Sequence, residues 1–434
     1  MKINSNGALG YLSGKEAAIK LCKAGVDAVV VGAGFAGAVV ARELAERAGK
    51  KVLLLEQRPH VGGNAYDCID DAGVLIHAYG PHIFHTNSKR AYEYLSRFTQ
   101  WRAYQHEVLA NIHDVYTPVP FNFNSIEQHF APDKAVELIE RLIASFGADT
   151  KVPIIELRQS EDPLLAELAD FVYQNVFLIY TLKQWGLKPE EVDPSVTARV
   201  PVYTGRDNRY FTDTWQGMPL DGYTPLFDSL LVHENISVVL DVDAREVLTF
   251  AGVAEGANEA DLQKTVGEAV TEYTDILVNG TPFKGPVIYT GPLDFLANKR
   301  FGLLPYRSLD FVYKTLQQKH FQPVGTVNYT VSEDYTRITE FTWLTGQELE
   351  LTTVMEEYPL AFEDKPGQVP YYAILDPENQ EAYERYLTLF GKLPNFHALG
   401  RLAEYRYYNM DQIVERALEL ASRLCDDNLA KGQA

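Results

Sequence analysis

The sequence predicts an α/β fold: a Rossmann-like dinucleotide-binding domain with an inserted helical domain and an antiparallel β-sheet domain. Three observations predict it. Residues 27–63 read as strand, glycine turn, helix, strand and acid. Residues 124–200 carry mostly helical periodicity. Residues 296–375 alternate apolar and polar positions and are rich in aromatics.

The first stretch begins with the apolar run Ala28-Val29-Val30-Val31, which leads into Gly32-Ala33-Gly34-Phe35-Ala36-Gly37. A helix-like segment follows, with Phe35, Val39, Leu44 and Ala45 as its apolar members. A second run, Val52 to Leu55, ends on Glu56 and Gln57. Gly32 permits the tight turn, Gly34 lets the backbone approach a pyrophosphate, and Gly37 lets helix and strand pack closely. The helix N-terminus offers unpaired N–H groups and a positive dipole end to the phosphates. Glu56 stands where an acid can accept from ribose hydroxyls. Arg58-Pro-His-Val-Gly62-Gly63-Asn64 comes next. A glycine pair beyond the acid resembles the flavoprotein extension of this fingerprint, as in amine oxidases and carotenoid desaturases. A backbone free of side chains there can run along the cofactor toward its flavin end. The expected cofactor is therefore FAD rather than NAD.

The 434 residues suffice for two or three domains, and 46% hydrophobic with 23% charged residues is ordinary for a soluble globular protein. No stretch approaches the apolar length of a membrane span. Residues 1–26 lack the apolar core of a signal peptide and are expected to form a short helical or disordered extension. Cys22, Cys68 and Cys425 are too scattered for a disulfide framework or a paired-cysteine metal site, which fits a reducing cytoplasm. A net charge of −20 argues against nucleic acid or an anionic membrane surface as partner. An anionic substrate would need arginines gathered locally against that field. His77, His82 and His85 lie close together without a Cys or carboxylate at ligand spacing, so no metal is expected. Packed loop histidines and a cofactor-facing role both remain open for them.

Asp133 to Gly147 reads as an amphipathic helix with Ala135, Leu138, Ile139, Leu142, Ile143 and Phe146 on one face. Pro163 to Trp185 is a second helical region, capped by Asp162. Tyr180 and Trp185 stand near its breaking Gly186, where an aromatic can face a cleft. Val200 to Tyr210 is polar and turn-rich, with Gly205 as a candidate hinge. Residues 236–242 and 284–290 read as strands returning to the first domain. Between them, 252–274 is Ala-, Glu- and Gly-rich and mildly helical. His397-Ala-Leu-Gly400-Arg401 reads as a last strand entering a helix that runs through Met410 to Leu424. That closing glycine is a second place where helix N–H groups can meet the cofactor.

Collinear motifs then point to one family. GGNAYD, GVLIHAYGPHIFHT and PFNFN (Pro120 to Asn124) lie in the first part of the chain. YTLKQWG (Tyr180 to Gly186), ARVPV, DNRYF, GMPLDGYT, YTGP and YRSL follow. YTRITE (Tyr335 to Glu340) and GRLAEYRYYNMDQ (Gly400 to Gln412) complete the set. From Asp27 to Leu424 the chain resembles the bacterial UDP-galactopyranose mutases. The resemblance implies an FAD-binding domain at 27–110, 215–295 and 390–432. It implies a helical domain at 121–200 with a mobile lid about 199–212, and a sheet domain at 111–120 and 296–389. Residues 1–26 remain as the extension.

The implied reaction interconverts UDP-galactopyranose and UDP-galactofuranose without net oxidation, through an adduct between the sugar and N5 of reduced FAD. A UDP-sugar substrate, NAD(P)H or another reductant, and a homo-oligomer are the implied partners. The resemblance makes Arg199, Arg307 and His85 catalytic, with the arginine pair gripping the diphosphate. Arginine suits that task as a planar, always-charged bidentate donor, each bond contributing on the order of 1.5–3 kcal/mol. Tyr180 and Trp185 would flank uracil and sugar, with Phe177 and Thr181 beside them. Tyr210, Tyr335 and Tyr407 would donate to the phosphates, and Asn122 and Asn409 would contact the substrate. The cofactor would meet Gly32, Gly34, Phe35, Ala36, Gly37, Glu56, Gln57, Arg58, Gly63, Asn64, His82, Gly400, Arg401 and Met410. For Arg337, structural and functional readings stand level. Two departures leave specificity open: Asn409 where the family often has Asp, and Val176 where many members have an aromatic. A mutase for another nucleotide sugar and an FAD amine oxidase or desaturase are the alternatives. The sequence offers no protein nucleophile, triad or carboxylate pair, which suits a cofactor that carries the chemistry.

Overall fold

The computed structural model describes residues 2–3, 9–192, 201–254, 264–266 and 270–431. At its centre is a six-stranded sheet, parallel at every pairing. Its order is Phe396–Ala398, Val287–Tyr289, Ala28–Val31, Val52–Leu55, Ile236–Leu240 and Leu12–Ser13. The wholly apolar runs of its central strands are buried at all but Val31, as a parallel sheet covered on both faces requires. Helices Phe35–Ala48 and Met410–Lys431 pack together over one face.

Residues 9–26 are more than an extension. Leu12–Ser13 pairs with Val239–Leu240 as an edge strand, and helix Lys15–Ala24 buries Ala18 in the core below. The segment 252–274 is not helical in its described parts. Leu248–Ala254, Lys264–Val266, Val270–Val278 and Thr281–Phe283 form an antiparallel sheet. Its longest strand, Val270–Val278, is rich in β-branched residues and buries Val270, Tyr273, Ile276 and Val278, which prevails over the weak helical composition.

The third layer is a seven-stranded sheet built from Val108–Ile112, Val115–Val119, Thr326–Tyr329, Arg337–Glu340, Thr352–Ala361, Tyr306–Leu316 and Tyr372–Ala373. It differs from expectation twice. It begins at Val108 rather than at 111, and one of its pairs, Val108 opposite Thr326, is parallel. The helical unit runs Phe123–His129, Pro132–Phe146, Ile154–Leu157, Pro163–Val172 and Ile179–Trp185. A π-helical turn, Tyr173–Leu178, joins the last two. Asp162 caps the fourth by accepting the Leu164 N–H at 2.9 Å. In helix Pro132–Phe146 the stripe Ala135, Leu138 and Leu142 is buried, whereas Ile143 is 40% exposed at its margin. Among the described residues no helix is long and apolar enough to cross a membrane.

One buried acid gives the fold a pH dependence. Asp294 is fully buried; its Oδ2 accepts the Leu304 N–H at 3.0 Å, and its Oδ1 has no partner among the described residues. Burial pushes its pKa up from 3.8 to about 6. The native state thus retains a proton that the unfolded chain gives up near pH 4. Its contribution is present below about pH 4 and is lost as pH rises to about 6. At about 1.4 kcal/mol per pKa unit, the loss is on the order of 2–3 kcal/mol. Asp294→Asn should therefore raise stability at pH 7.5 relative to wild type, with little difference at pH 4. Urea unfolding at both pH values checks this; equal gaps at the two would refute it.

Candidate active site

Two cavities meet between the layers. The larger, about 420 Å³, lies over the C-terminal ends of the parallel strands. The smaller, about 250 Å³, lies between the helical unit and the mixed sheet. Asn64, His82, Tyr371, Arg401, Asn409 and Met410 are walls of both.

The glycine turn shapes the larger cavity. A Cβ on Gly37 would sit 2.0 Å from the Gly32 carbonyl oxygen, so only glycine lets the helix start this close to its strand. The second glycine pair packs back onto the first turn: Gly62 N donates to Ala33 O at 2.9 Å, and a Cβ on Gly63 would lie 3.0 Å from Gly34 Cα. Both pairs therefore line one cradle. Glu56 borders it, with Oε2 accepting from Ala33 N–H at 2.8 Å and Oε1 from Arg58 N–H at 2.9 Å. Burial raises its pKa against these bonds.

Arg58 tests whether a dinucleotide fits. Its guanidinium lies 4.2 Å from the Tyr79 ring centroid, and Nη2 donates to Asn64 Oδ1 at 3.0 Å. Its Nη1 is buried with no partner among the described residues. A buried cationic donor lacking an acceptor is costly, and an anionic group in the cavity supplies one. The N-terminus of helix Phe35–Ala48 also opens on the cavity, as does Met410 at the start of the last helix. All the expected cofactor residues line the cavity except Gly37, which packs beneath it. The last helix begins at Met410, not directly after Gly400. Residues 401–409 intervene as turn and irregular chain, and within them Glu404 Oε2 accepts the Gly400 N–H at 2.9 Å.

In the smaller cavity Arg337 is the buried charge. Its Nη2 lies 3.0 Å from Glu357 Oε1, and its Nε has no partner among the described residues. Burial opposes the Arg337 charge, but Glu357 and the neighbouring tyrosines outweigh it and hold the guanidinium protonated. Tyr180 faces this pair, its hydroxyl pushed up to about 12 by burial, so it is a neutral donor. Trp185, Tyr372 and Tyr407 form an aromatic wall. Tyr372 lies 5.9 Å from Trp185 and 6.0 Å from Tyr407, while Arg401 sits 4.9 Å over the Tyr407 ring.

His85 stacks on Phe211 at 3.6 Å and sets Nδ1 3.0 Å from Asp213 Oδ2. His82 and His106 are held neutral, pushed down to about 3 chiefly by burial. His77 is likewise buried and accepts the His82 N–H at 3.0 Å. Among the described residues no three His, Cys, Asp or Glu side chains group as a metal site.

His85, Tyr180, Trp185, Tyr210, Tyr407 and Asn409 line this cavity as expected. Others do not. Arg307 turns its Nε to Gln184 O at 2.8 Å and its Nη2 to Lys183 O at 3.0 Å, closing the end of helix Ile179–Trp185. Asn122 is fully buried as a helix cap, accepting from Asn124 and Ser125 N–H and donating to Asp207 O and Asn208 Oδ1. Phe177 and Val176 are buried in the helical core, so neither faces the cavity. Thr181 is buried outside it, and Tyr335 packs against Tyr329 and Tyr358. Arg199 lies in 193–200, outside the described residues. The described part of the expected lid is tied down: Tyr203 N donates to Phe121 O, and Tyr210 N to His106 O, both at 2.8 Å. Gly205 lies against the Tyr203 ring, which gives it a packing reason rather than a hinge reason.

Several cavity residues escaped the sequence. Tyr371 precedes and Tyr372 opens the edge strand Tyr372–Ala373, whose two residues are too few to show a period. Thr326 and Asn328 share a strand face, and Thr326 Oγ1 is buried with no partner among the described residues. Glu357 stands directly opposite Arg337 in the sheet register. The adjacent acids Glu356 and Glu357 in strand Thr352–Ala361 were the available clue.

A family model for UDP-galactopyranose mutase matches residues 175–407, just over half of the 434, and one for an NAD(P)-binding Rossmann-like domain matches 30–98. The UDP-galactopyranose mutase of Mycoplasma pneumoniae is 33% identical over 92% of this chain and 96% of its own. A probable UDP-galactopyranose mutase of Klebsiella pneumoniae is 34% identical over 91% and 93%. The dTDP-fucopyranose mutase of Escherichia coli is 32% identical over 92% and 98%. A crystal structure of a reduced UDP-galactopyranose mutase shares the fold, with a TM-score of 0.61 at 15% identity over 94% of this chain and 96% of that one. With relatives this similar along nine-tenths of its length, the protein is an isomerase belonging to the UDP-galactopyranose mutase family.

Proposed function

We propose that the protein interconverts UDP-galactopyranose and UDP-galactofuranose, a ring contraction with no net oxidation, and that it does so with FAD in its reduced form. The observation that carries this reading is the junction of the two cavities, where a dinucleotide cradle opens through six common wall residues onto a chamber in which Arg337 is paired with Glu357. When bound and reduced, the flavin supplies a nucleophilic nitrogen, N5, for the anomeric carbon of the sugar.

The protein's own residues do the rest. Glu56 accepts from the cofactor's ribose, and Arg58 with the helix at Phe35 neutralises its pyrophosphate. Arg337 receives the substrate diphosphate, which must leave as UDP and return. Tyr180 and Tyr407 donate their hydroxyls to it, and Arg199 adds a second charge from the segment 193–200. Arg307 acts one step back by fixing the helix that bears Tyr180 and Trp185. The aromatic wall of Trp185, Tyr372 and Tyr407 packs against base and sugar and excludes water that would hydrolyse the separated sugar.

The test is to incubate the flavin-loaded protein with UDP-galactofuranose, with and without dithionite, and to separate the products. UDP-galactopyranose should form only under reduction. Equal conversion by oxidised protein, or none by either, would sink the reading. The Escherichia coli relative motivates a parallel incubation with dTDP-fucofuranose; faster turnover of that substrate would reassign the sugar.

A further inference from the structure

Lys183 is a charged residue beside the cavity that the reaction does not use. Its Nζ donates to three backbone carbonyls: Tyr329 at 2.6 Å, Glu333 at 2.8 Å and Tyr335 at 3.0 Å. An ammonium has three donors, so this set satisfies it completely. The Tyr329 carbonyl ends strand Thr326–Tyr329, and the Glu333 and Tyr335 carbonyls belong to the connection that joins it to strand Arg337–Glu340. Thr330 ties the same connection to the π-helical turn by donating to Asn175 O at 2.5 Å. Arg307 binds the main chain of Lys183 itself from a third strand.

Each joined element presents a wall of the smaller cavity. Tyr180 and Trp185 come from the helix, Asn328 from the first strand and Arg337 from the second. Lys183 thus sits where the helical unit and the mixed sheet face each other across the cleft.

We infer that Lys183 is a positioning residue that sets the cleft by locking the 330–336 connection to the helix end, thereby fixing Arg337 relative to Tyr180 and Trp185. The inference rests on the proposed function for what the cleft binds, but not for the lock itself. Without the ammonium, three carbonyls lose their donor and the connection loses its main tether to the helix. A misplaced wall weakens substrate binding more than it slows chemistry at the cofactor.

The experiment uses flavin-loaded wild type, Lys183→Met and Lys183→Arg. Hydrogen exchange, UDP titration calorimetry and steady-state kinetics are the readouts. In Lys183→Met, exchange should quicken within 326–340 and stay unchanged in the parallel sheet. UDP Kd and substrate KM should each rise about tenfold or more, with kcat within about threefold and bound flavin retained. Lys183→Arg, which can still donate to several carbonyls, should return Kd to within about threefold of wild type. Unchanged exchange in 326–340, an unchanged UDP Kd, or loss of flavin together with cooperative melting would overturn the inference. Faster exchange in 326–340 with no UDP binding even by wild type would support the lock and count against the proposed function instead.

Discussion

Replacing Arg337 with Met should lower kcat/KM by about 100-fold or more, while the protein still purifies with bound flavin. The Arg337 side chain is mostly buried and kept charged by Glu357, and its buried Nε has no partner among the described residues. Truncating one member of a buried, hydrogen-bonded charge pair typically costs about 2–5 kcal/mol in binding, and each ~1.4 kcal/mol is tenfold. The flavin should remain, because Arg337 does not line the larger cavity. Stability should fall as well, since Glu357 is left buried without its counter-charge. Adding Glu357→Gln to the variant should restore much of the melting temperature but none of the turnover. Steady-state kinetics and thermal melts on both variants check this. Full activity in Arg337→Met would remove the residue from the diphosphate site.

Gly37→Ala should abolish flavin retention and lower the melting temperature by about 5 °C or more. The added methyl meets a backbone oxygen at 2.0 Å and the Val30 side chain at 3.0 Å, and backbone gives way far less easily than a flexible side-chain tip. Overpacking of this kind costs about 1–3 kcal/mol, and about 1 kcal/mol moves the melting temperature of a large domain by about 2–4 °C. The helix start must shift, and with it the N–H groups that face the pyrophosphate. Flavin absorbance after purification is the direct readout. A variant that stays yellow and melts like wild type would refute the close-packing role.

Local signals were the legible ones. Gly32, Gly34, Gly37 and Glu56 follow from the geometry of one turn, and such a turn is read within a few dozen residues. The apolar runs of the central strands were equally plain, because burial on both faces leaves no polar positions. Arg337 was harder. Its significance lies in Glu357, twenty positions away in sequence but directly opposite in register. Arg307 and Asn122 are hard for the converse reason. Both are polar, yet a helix end claims the donors of one, and a loop carbonyl and the Asn208 side chain claim those of the other. Sequence shows which side chains can bind a ligand, but not which backbone groups reach them first. The segment 252–274 was misread because its Ala-, Glu- and Gly-rich composition was weighed above its β-branched and aromatic positions.

The order of the parallel sheet bears on how the chain assembles. Its two outermost strands are Leu12–Ser13 and Phe396–Ala398, drawn from opposite ends of the sequence. During synthesis the sheet therefore cannot be completed until residue 398 has emerged. By then the helical unit and the mixed sheet have already been made. Contacts of such long sequence separation form slowly, because the loop between them must close first. Until they do, the strand Val287–Tyr289 presents an unpaired apolar edge, a template for association with other chains. The last few dozen residues thus act as the closing piece of the nucleotide domain, and the nascent protein is most exposed to misassembly just before they arrive.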